Sequence, residues 1–355
     1  MASSDIVSPH EALQQLLQAT PPACLDVRSE GEWADGAIPG FHNDPILTNA
    51  ERHLVGTCYK QQGQDAAFAL GYQLTAPYKA ERVQRWQQWA ATSATTMLVC
   101  CWRGGARSRL ACDWLTEAGT DTLRVRGGYK SMRAVLREQL EQLPALLVLS
   151  GPTGTGKTRL LRELAVPKID LEAAANHRGS AFGGLGRQPS QQTFENRIGM
   201  ALLAGHHEYL VEDESRLIGV NQLPLTLKTR MYAAPAVLLE LSMAERVALT
   251  HDEYVLQPLR QGLSVAAVQQ QLQAGLDRIQ KRLGALRHQQ LSERLADAMR
   301  EPADQDRHGR WIVPLLAEYY DPRYRHSFDS HPRQILFRGD RASCRDFLTA
   351  RLSGS

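Results

Sequence analysis

Twice along this chain of 355 residues, a short apolar run ends in a glycine-rich loop that leads into a helical pattern. The first of these units begins at Met97 and continues past Arg107 into a helix, and the second runs from Ala145 to Thr158. A strand, a tight loop and a helix in this order form the repeating unit of parallel sheets that carry helices on their faces. The pattern therefore predicts an α/β fold in both halves of the chain.

The two units are expected to belong to two domains. Pro144 separates the two alternating regions, and the chain is long enough for two domains of ordinary size. We predict a parallel-sheet domain over residues 1–143 and an α/β domain over residues 144–355 whose C-terminal part is helical. The polar segment 41–78 lacks strong periodicity and is expected to be a long insertion.

Composition limits the classes of partner. A net charge of +3 gives no global polycation, so an RNA surface must be a local patch. No apolar stretch reaches membrane-spanning length, there is no leader-like start, and the six cysteines lack a Cys-x-x-Cys spacing. We expect a cytoplasmic protein without a membrane or zinc. Two basic runs, each more often a solvated face than an RNA site, are Arg124, Arg126, Lys130, Arg133 and Arg137, and Arg323, Arg325, Arg333 and Arg338.

The first glycine-rich loop follows two adjacent cysteines, Cys100 and Cys101. Loop N–H groups and the next helix N-terminus attract negative charge to this turn, and Arg103 and Arg107 add full positive charges. Because thiols in such turns have a low pKa, Cys101 is the predicted catalytic residue, and Cys100 is expected to be a buried thiol at the strand end. The predicted anion-binding loop contains Trp102, Arg103, Gly104, Gly105, Ala106, Arg107 and Ser108.

The second loop fits the pattern G-x-x-x-x-G-K-[ST] between a strand and a helix. Its backbone N–H groups are expected to hold a diphosphate, Lys157 to neutralise it, and the Thr158 hydroxyl to bind Mg²⁺. Asp213, after another apolar run, is the candidate for a second metal contact; an exposed acidic loop is an equal alternative there. The predicted diphosphate-binding residues are Gly151, Thr153, Gly154, Thr155, Gly156, Lys157 and Thr158.

A further glycine-rich basic stretch lies about twenty residues beyond this loop. It contains His177, Arg178 and Ser180 without apolar periodicity, which favours a segment that closes over phosphates or substrate. A plain surface connection is the alternative interpretation.

Several motifs resemble the rhodanese family in order and spacing. These are Asp26-Val27-Arg28, Glu32-Trp33, the run 36–40 and the loop from Cys101 to Ser108. In that family the loop cysteine carries a persulfide or its selenium analogue. The loop length also resembles related dual-specificity phosphatases, but those have histidine where this chain has Cys100. The resemblance therefore implies a rhodanese-like N-terminal domain, joined here to a P-loop NTPase-like domain.

This combination, with other separated motifs, resembles the bacterial tRNA 2-selenouridine synthases over nearly the whole chain, except for residues 302–309 and those after 325. The further motifs begin at Val55, Gly127, Asp170, Asn176, Val211 and Glu318. The resemblance implies replacement of sulfur by selenium at C2 of a wobble 2-thiouridine in the anticodon loop of tRNA. It also implies selenophosphate and geranyl diphosphate as co-substrates, an S-geranyl-2-thiouridine intermediate, a selenenylsulfide on Cys101 and the use of Mg²⁺. A selenophosphate supplier is one optional partner.

Two other classes of function remain open at this point. One is a sulfurtransferase coupled to an ATP-dependent kinase or ATPase domain, because the second loop fits ATP as well as an allylic diphosphate. The other is a non-enzymatic binding module switched by nucleotide. The presence of Cys101, Arg107, Lys157 and Thr158 argues against the second.

Overall fold

Both expected strand–loop–helix units are present in the computed structural model, which describes residues 6–184 and 186–352. Residues 1–5, 185 and 353–355, which the predicted domains include, lie outside the described residues. The strands are β1 (Ile6–Val7), β2 (Cys24–Asp26), β3 (His42–Asn43), β4 (Met97–Cys100), β5 (Thr122–Val125), β6 (Ala145–Ser150), β7 (Lys168–Ile169), β8 (Glu208–Glu212), β9 (Leu217–Ile218), β10 (Asn221–Gln222), β11 (Ala236–Leu239) and β12 (Ile335–Gly339).

The α-helices are α1 (Pro9–Gln15), α2 (Glu30–Asp35), α3 (Asn49–Gln62), α4 (Gln64–Thr75), α5 (Lys79–Ala90), α6 (Ala106–Glu117), α7 (Gly128–Glu141), α8 (Lys157–Glu163), α9 (Leu171–Ala175), α10 (Gln191–Leu202), α11 (Leu225–Ala233), α12 (Met243–His251), α13 (Gln257–Arg260), α14 (Val265–Leu283), α15 (Ala285–Ala298), α16 (Gln305–Pro314), α17 (Asp321–Ser330) and α18 (Arg341–Leu352). Shorter helical segments are the 3₁₀ turn Ala76–Tyr78 and the π-helices Asp252–Leu256 and Leu315–Tyr320.

The described chain divides into two compact units. The first contains the chain up to Gln142 together with Ser190–Gly205, and the second contains Leu143–Pro189 and the chain from His206 onward. One division between the units falls between Gln142 and Leu143. Helix α10, which lies within the predicted domain 144–355, belongs to the first unit.

Helix α10 joins the first unit through close packing and buried hydrogen bonds. Asn196 is buried and donates to the carbonyl of Ala37 at 2.8 Å, and Arg133 of α7 donates to Asn196 at 2.9 Å. Gly199 lies so close to α7 that a Cβ at this position would be 2.7 Å from the carbonyl oxygen of Leu136. These contacts join residues far apart in sequence, which is why local patterns did not indicate them.

The first unit is built around a five-stranded sheet with the order β1-β5-β4-β2-β3, in which every pairing is parallel. Side chains alternate between the two faces of a strand. Leu98 and Cys100 therefore pack into one apolar cluster, and Val99 and Cys101 into the cluster on the other face. The segment 41–78, expected to be an irregular insertion, contains helices α3 and α4.

The second unit has a five-stranded parallel sheet with the order β12-β11-β6-β8-β7. The small antiparallel pair β9 and β10 is separate from it. The expected helical C-terminal region is present, and α14 buries a stripe of Val268, Leu272, Leu276 and Ile279 in a further apolar cluster. Among the described residues, no helix combines the length and apolar character that crossing a membrane requires.

Two glycines inside helices give a matched test of the α7–α10 packing. Gly56→Ala in α3 meets no atom within 4 Å, so better helix propensity should raise the free energy of unfolding by up to about 1 kcal/mol. Gly199→Ala must displace Leu136, and this overpacking should lower the free energy of unfolding by about 1 to 3 kcal/mol. Urea unfolding followed by circular dichroism measures both; stabilisation by Gly199→Ala would contradict the packing described.

Candidate functional site

The predicted nucleophile lies at the end of the central strand of the first sheet. Cys101 follows β4 directly, is 3% exposed, and its Sγ is 3.3 Å from the Oγ of Ser108 in the first turn of α6. The sulfur is thus at the N-terminus of α6, where backbone N–H groups attract an anion. Burial raises the pKa of the neighbouring Cys100, and raises that of Cys24 to about 12, so these thiols are not nucleophiles at neutral pH.

The backbone of the cysteine loop, residues 101–108, is fixed by the turn before α7. The N–H of Tyr129 donates to the carbonyl of Cys101 at 2.9 Å, and Gly128 has a φ of 57° with no room for a Cβ, which would be 2.0 Å from the same carbonyl oxygen. Trp102 stacks on Tyr129 with 5.4 Å between ring centroids. The motif that begins at Gly127 therefore holds the loop, a role that its residues do not indicate without the structure.

The loop glycines and Ala106 make the close turn into α6. Gly104 has a φ of 62°, and a Cβ there would be 2.5 Å from the carbonyl oxygen of Val125. Gly105 is the residue before the helix, and Ala106 is its first residue. Ser108 donates back to the carbonyl of Gly105 at 3.2 Å. All residues of the predicted anion-binding loop are thus brought around Cys101.

The two loop arginines have different environments. Arg107 makes a bidentate pair with Glu32, with Nη1–Oε2 at 2.5 Å and Nη2–Oε1 at 3.0 Å, while Arg103 is exposed and has no ion pair among the described residues. Arg52 also approaches Glu32, at 3.2 Å. Burial raises the pKa of Glu32, but the hydrogen bonds and charge of Arg107 outweigh it, and the pKa falls to about 2. The sequence analysis named Glu32 only as part of a motif; in the structure its carboxylate positions Arg107.

The glycine loop, residues 151–158, connects β6 to α8. Gly151, Gly154 and Gly156 all have positive φ, at 155°, 83° and 74°. The Nζ of Lys157 donates to the carbonyl of Gly151 at 2.7 Å, so the ammonium group lies over the loop. Thr155 is buried and donates to the carbonyl of Pro152. This is the arrangement expected of a diphosphate-binding loop.

A buried ion pair supports the same loop from behind. Arg246 donates to the carbonyl of Thr153 at 2.9 and 2.8 Å and to the carboxylate of Asp321 at 2.9 and 2.6 Å. Both side chains are buried. Sequence reasoning missed this pair because it joins two helices across the second unit.

Three carboxylates lie together beside Thr158. Oxygens of Glu172, Glu212 and Glu214 are within 4.8 Å of one another, and the hydroxyl of Thr158 donates to Oε2 of Glu212 at 2.5 Å. The other oxygen of Glu212 is buried without a hydrogen-bond partner. Burial raises the pKa of all three, and repulsion from Glu172 raises further the pKa of Glu212 and that of Glu214, which reaches about 8. An oxygen-rich cluster of this kind fits a divalent cation such as Mg²⁺.

Asp213 occupies a different environment from the one expected. Its carboxylate accepts from Arg333 at 3.0 Å and from Ser150 at 2.8 Å. Burial raises its pKa, but Arg333 outweighs burial and the pKa is lowered. Strand alternation explains the difference: Leu210 packs with the apolar residues of α8, and Glu212, two residues later, reaches Thr158 on that side. The structure favours Glu172, Glu212 and Glu214 over Asp213 as the groups that face a metal ion.

The basic stretch after α9 lines the same cavity as the glycine loop. His177 and Ser180 are among the lining residues, the N–H of Gly179 donates to Glu172 at 2.5 Å, and Ser180 is 3.0 Å from the hydroxyl of Tyr254. Arg178 pairs with Glu253 at 3.4 Å. Burial lowers the pKa of His177. The structure thus brings this stretch to the carboxylate cluster.

The cavity has a volume of about 1180 Å³ and two kinds of wall. One side is polar, with Lys157, Thr158 and the three glutamates. The other side is apolar and aromatic, and it comes largely from the helical C-terminal region. Its residues include Phe182, Tyr254, Ile279, Trp311, Leu315 and Tyr319. The sequence showed apolar stripes in these helices but not that they meet the glycine loop.

The fold and the sites define a two-unit α/β protein in which one unit presents a thiol and the other a glycine loop with a carboxylate cluster. Residues 144–354 match the family model described as the tRNA 2-selenouridine synthase AAA domain. Proteins named tRNA 2-selenouridine synthase from Marinobacter nauticus and Pseudomonas fluorescens are each 42% identical; the alignments cover 89% and 92% of this chain and 90% and 94% of theirs. The one from Alcanivorax borkumensis is 41% identical over 96% of this chain and 98% of its own.

The chain therefore belongs to the tRNA 2-selenouridine synthase family, and it is an enzyme. This membership removes the non-enzymatic binding module from the alternatives.

The Glu32–Arg107 pair predicts a pH dependence of stability. The pKa of Glu32 is depressed from 4.5 to about 2, so the pair stabilises the fold above pH 4.5 and this stabilisation is lost as the pH falls toward 2. The loss is roughly 3 kcal/mol, and Glu32→Gln should lack that part of the acid dependence. Chemical unfolding at pH 7, 5 and 3 compares the two proteins, and parallel pH profiles would rule out the pairing.

The position of the carboxylate cluster predicts that Mg²⁺ binding depends on Glu212 and not on Asp213. Mg²⁺ should raise the melting temperature of the wild type, and Glu212→Gln should remove most of this shift. Asp213→Asn should keep the Mg²⁺-dependent shift but lower stability by about 3 to 5 kcal/mol, because Arg333 then lies buried without its partner. Thermal melts with and without MgCl₂ test this, and loss of the shift only in Asp213→Asn would reverse the assignment.

Proposed function

We propose that this enzyme replaces sulfur by selenium at C2 of a wobble 2-thiouridine in tRNA, in two steps on its two units. Membership of the tRNA 2-selenouridine synthase family supports the overall reaction. The presence of a nucleophile loop in one unit and a diphosphate-type loop in the other supports the division into steps.

The first proposed step is alkylation of the thiocarbonyl sulfur by geranyl diphosphate. The sulfur attacks the allylic carbon, the carbon–oxygen bond to diphosphate breaks, and the proton on N3 of the uracil ring is released. A thiocarbonyl sulfur is a poor leaving group, whereas the resulting thioether can be expelled from C2. Lys157 and the loop N–H groups stabilise the departing diphosphate. Bound at Thr158 and the glutamates, Mg²⁺ would supply further neutralisation of its charge.

The observation that carries this step is the apolar wall beside the glycine loop. An allylic diphosphate has a charged head and a hydrocarbon tail, and the cavity offers a polar and an apolar side within one volume. Burying the tail is favourable at about 25 cal/mol per Å² of apolar surface. Since alkylation itself activates C2, no phosphorylation by ATP is needed.

The second proposed step takes place at Cys101. Selenophosphate is the selenium donor, and its phosphate group is held by the loop N–H groups and by Arg103 and Arg107. Its selenium is at the selenide level, so it reaches Cys101 by exchange with a mixed disulfide between Cys101 and a small thiol: a sulfur–selenium bond forms and the small thiol leaves. Water then cleaves the selenium–phosphorus bond, phosphate leaves, and Cys101 carries selenium as a selenenylsulfide. Glu32 holds Arg107 toward the loop.

Release of selenium from this carrier also needs a thiol. A small thiol attacks the sulfur of Cys101, which releases selenide and restores the mixed disulfide, so assays contain a thiol. Selenide attacks C2, the bond from C2 to the alkylated sulfur breaks, and the departing geranyl thiolate takes up a proton and leaves as geranyl thiol.

The two adjacent cysteines should differ in their effect on selenium incorporation. Cys101→Ala should lower the rate by roughly a thousandfold or more, because the proposed carrier is lost. Cys100→Ala, on the opposite face of the strand, should change stability more than rate. Nucleoside mass spectrometry of tRNA incubated with each variant, selenophosphate and geranyl diphosphate gives both rates. Greater loss with Cys100→Ala would show that the carrier was misassigned.

The two half-reactions should separate by variant. Lys157→Ala should slow geranylation by about 100- to 1000-fold, because charge stabilisation of diphosphate is lost. Cys101→Ala should still geranylate, so S-geranyl-2-thiouridine should accumulate in its tRNA. The same mass spectrometry with selenophosphate present detects this intermediate, and its absence from the Cys101→Ala reaction would mean that the two sites do not act separately.

A further inference from the structure

Four exposed arginines lie together at the cavity of the second unit. Arg216, Arg278, Arg282 and Arg323, hereafter the rim arginines, all line this cavity and are exposed. Within residues 6–184 and 186–352, none of them has a carboxylate at ion-pair distance. Some other exposed arginines of the unit do have such partners, as in Arg260–Asp252 at 2.6 Å and, at the cavity itself, Arg159–Glu163 at 3.6 Å. Exposed arginines without an ion pair also lie away from the cavity, so the distinguishing feature of the rim arginines is that four of them line one cavity.

The rim arginines bring four positive charges to one cavity, and none of the four is paired with a carboxylate within the described residues. Arg278 and Arg282 are four residues apart on α14 and lie on the same helix face, where like charges repel. The glutamates of the carboxylate cluster instead face Thr158 at the glycine loop. An unpaired cluster of arginines around a cavity mouth is typical of a surface that receives a polyanion.

The size of the cavity indicates that more than one group enters it. Its volume of about 1180 Å³ exceeds the roughly 300 to 1000 Å³ of a pocket for one small ligand. Aromatic side chains lie among the rim arginines: Arg323 is 5.3 Å from the ring centroid of Tyr319, and Tyr324 also lines the cavity. Aromatic and guanidinium planes are the surfaces on which unstacked RNA bases pack.

We propose that the rim arginines bind the backbone phosphates on either side of the wobble nucleotide, and that this nucleotide enters the cavity beside the diphosphate. This inference rests on the proposed function, since it gives tRNA a reason to reach the glycine loop. The proposal assigns the RNA-binding surface of the second unit to the rim arginines, because they are positively charged and line the cavity that contains the glycine loop.

Neither basic run in the sequence forms this surface as a whole. Arg333 and Arg338 of the second run pair with Asp213 and Glu240, and of that run Arg323 lines the cavity. In the first run, Arg133 pairs with Glu195. The rim arginines come from three separate segments, so a search for basic residues close together in sequence does not find them as a group.

The test compares two double variants with the same change in charge. Arg282→Gln/Arg323→Gln removes two rim arginines, and the control Arg300→Gln/Arg345→Gln removes two exposed arginines that do not line the cavity and that have carboxylate partners. Fluorescence anisotropy with a labelled anticodon stem-loop measures affinity over a series of salt concentrations. The rim variant should bind roughly tenfold more weakly, with a salt slope smaller by about 2, and the control should match the wild type.

Equal affinity and slope for the rim variant and the wild type, or equal losses in both double variants, would overturn the proposal. An unchanged Mg²⁺-dependent melting shift in the rim variant shows that its cavity is folded. The binding assay needs no chemistry, so its outcome is independent of the geranylation assay. If the wild type binds the stem-loop through the rim but never geranylates 2-thiouridine, the proposed function fails and the binding surface stands.

Discussion

Parallel strand pairing is the constraint on which both candidate sites depend. In each of the two five-stranded sheets the strands run in one direction, so the loops that follow them meet at one edge, where α/β proteins place their ligand sites. In the first unit the pairing of Asp26 with Cys100 brings the motif after β2 to the cysteine loop. In the second, β6 and β8 pair through Leu149 and Glu212, which brings the glutamate to the glycine loop.

The charged side chains of the second unit fall into two groups: those neutralised in buried ion pairs, and those left to bind a ligand or metal ion. Charged groups such as Arg246 with Asp321, and Arg333 with Asp213, are buried in pairs and hold loops in place. The glutamates beside Thr158 make no ion pair among the described residues, and burial, followed by repulsion from Glu172, raises the pKa of Glu212 and of Glu214. That imbalance is what makes the cluster suitable for a metal ion, whereas the carboxylate of Asp213 is already neutralised.

The sequence predicted the parts of this structure that depend on local order. The strand before each loop, the loop itself and the helix after it follow one another directly, so Cys101 and Lys157 were placed correctly within their loops. Helices α3 and α4 were missed because apolar periodicity is weak there, although Thr48 and Glu51 form a capping box that signals the start of α3. The packing of α10 in the first unit and the apolar wall of the cavity depend on contacts between distant segments, which no local pattern contains.

In the proposed function, the glycine loop holds an allylic diphosphate and uses it to alkylate 2-thiouridine. Nucleoside mass spectrometry tests this with thiolated tRNA incubated with purified protein and Mg²⁺, with geranyl diphosphate, ATP and selenophosphate each omitted in turn. We expect S-geranyl-2-thiouridine without ATP or selenophosphate, and 2-selenouridine only when geranyl diphosphate and selenophosphate are both present. A strict requirement for hydrolysable ATP, or selenium incorporation into 2-thiouridine without geranyl diphosphate, would contradict it.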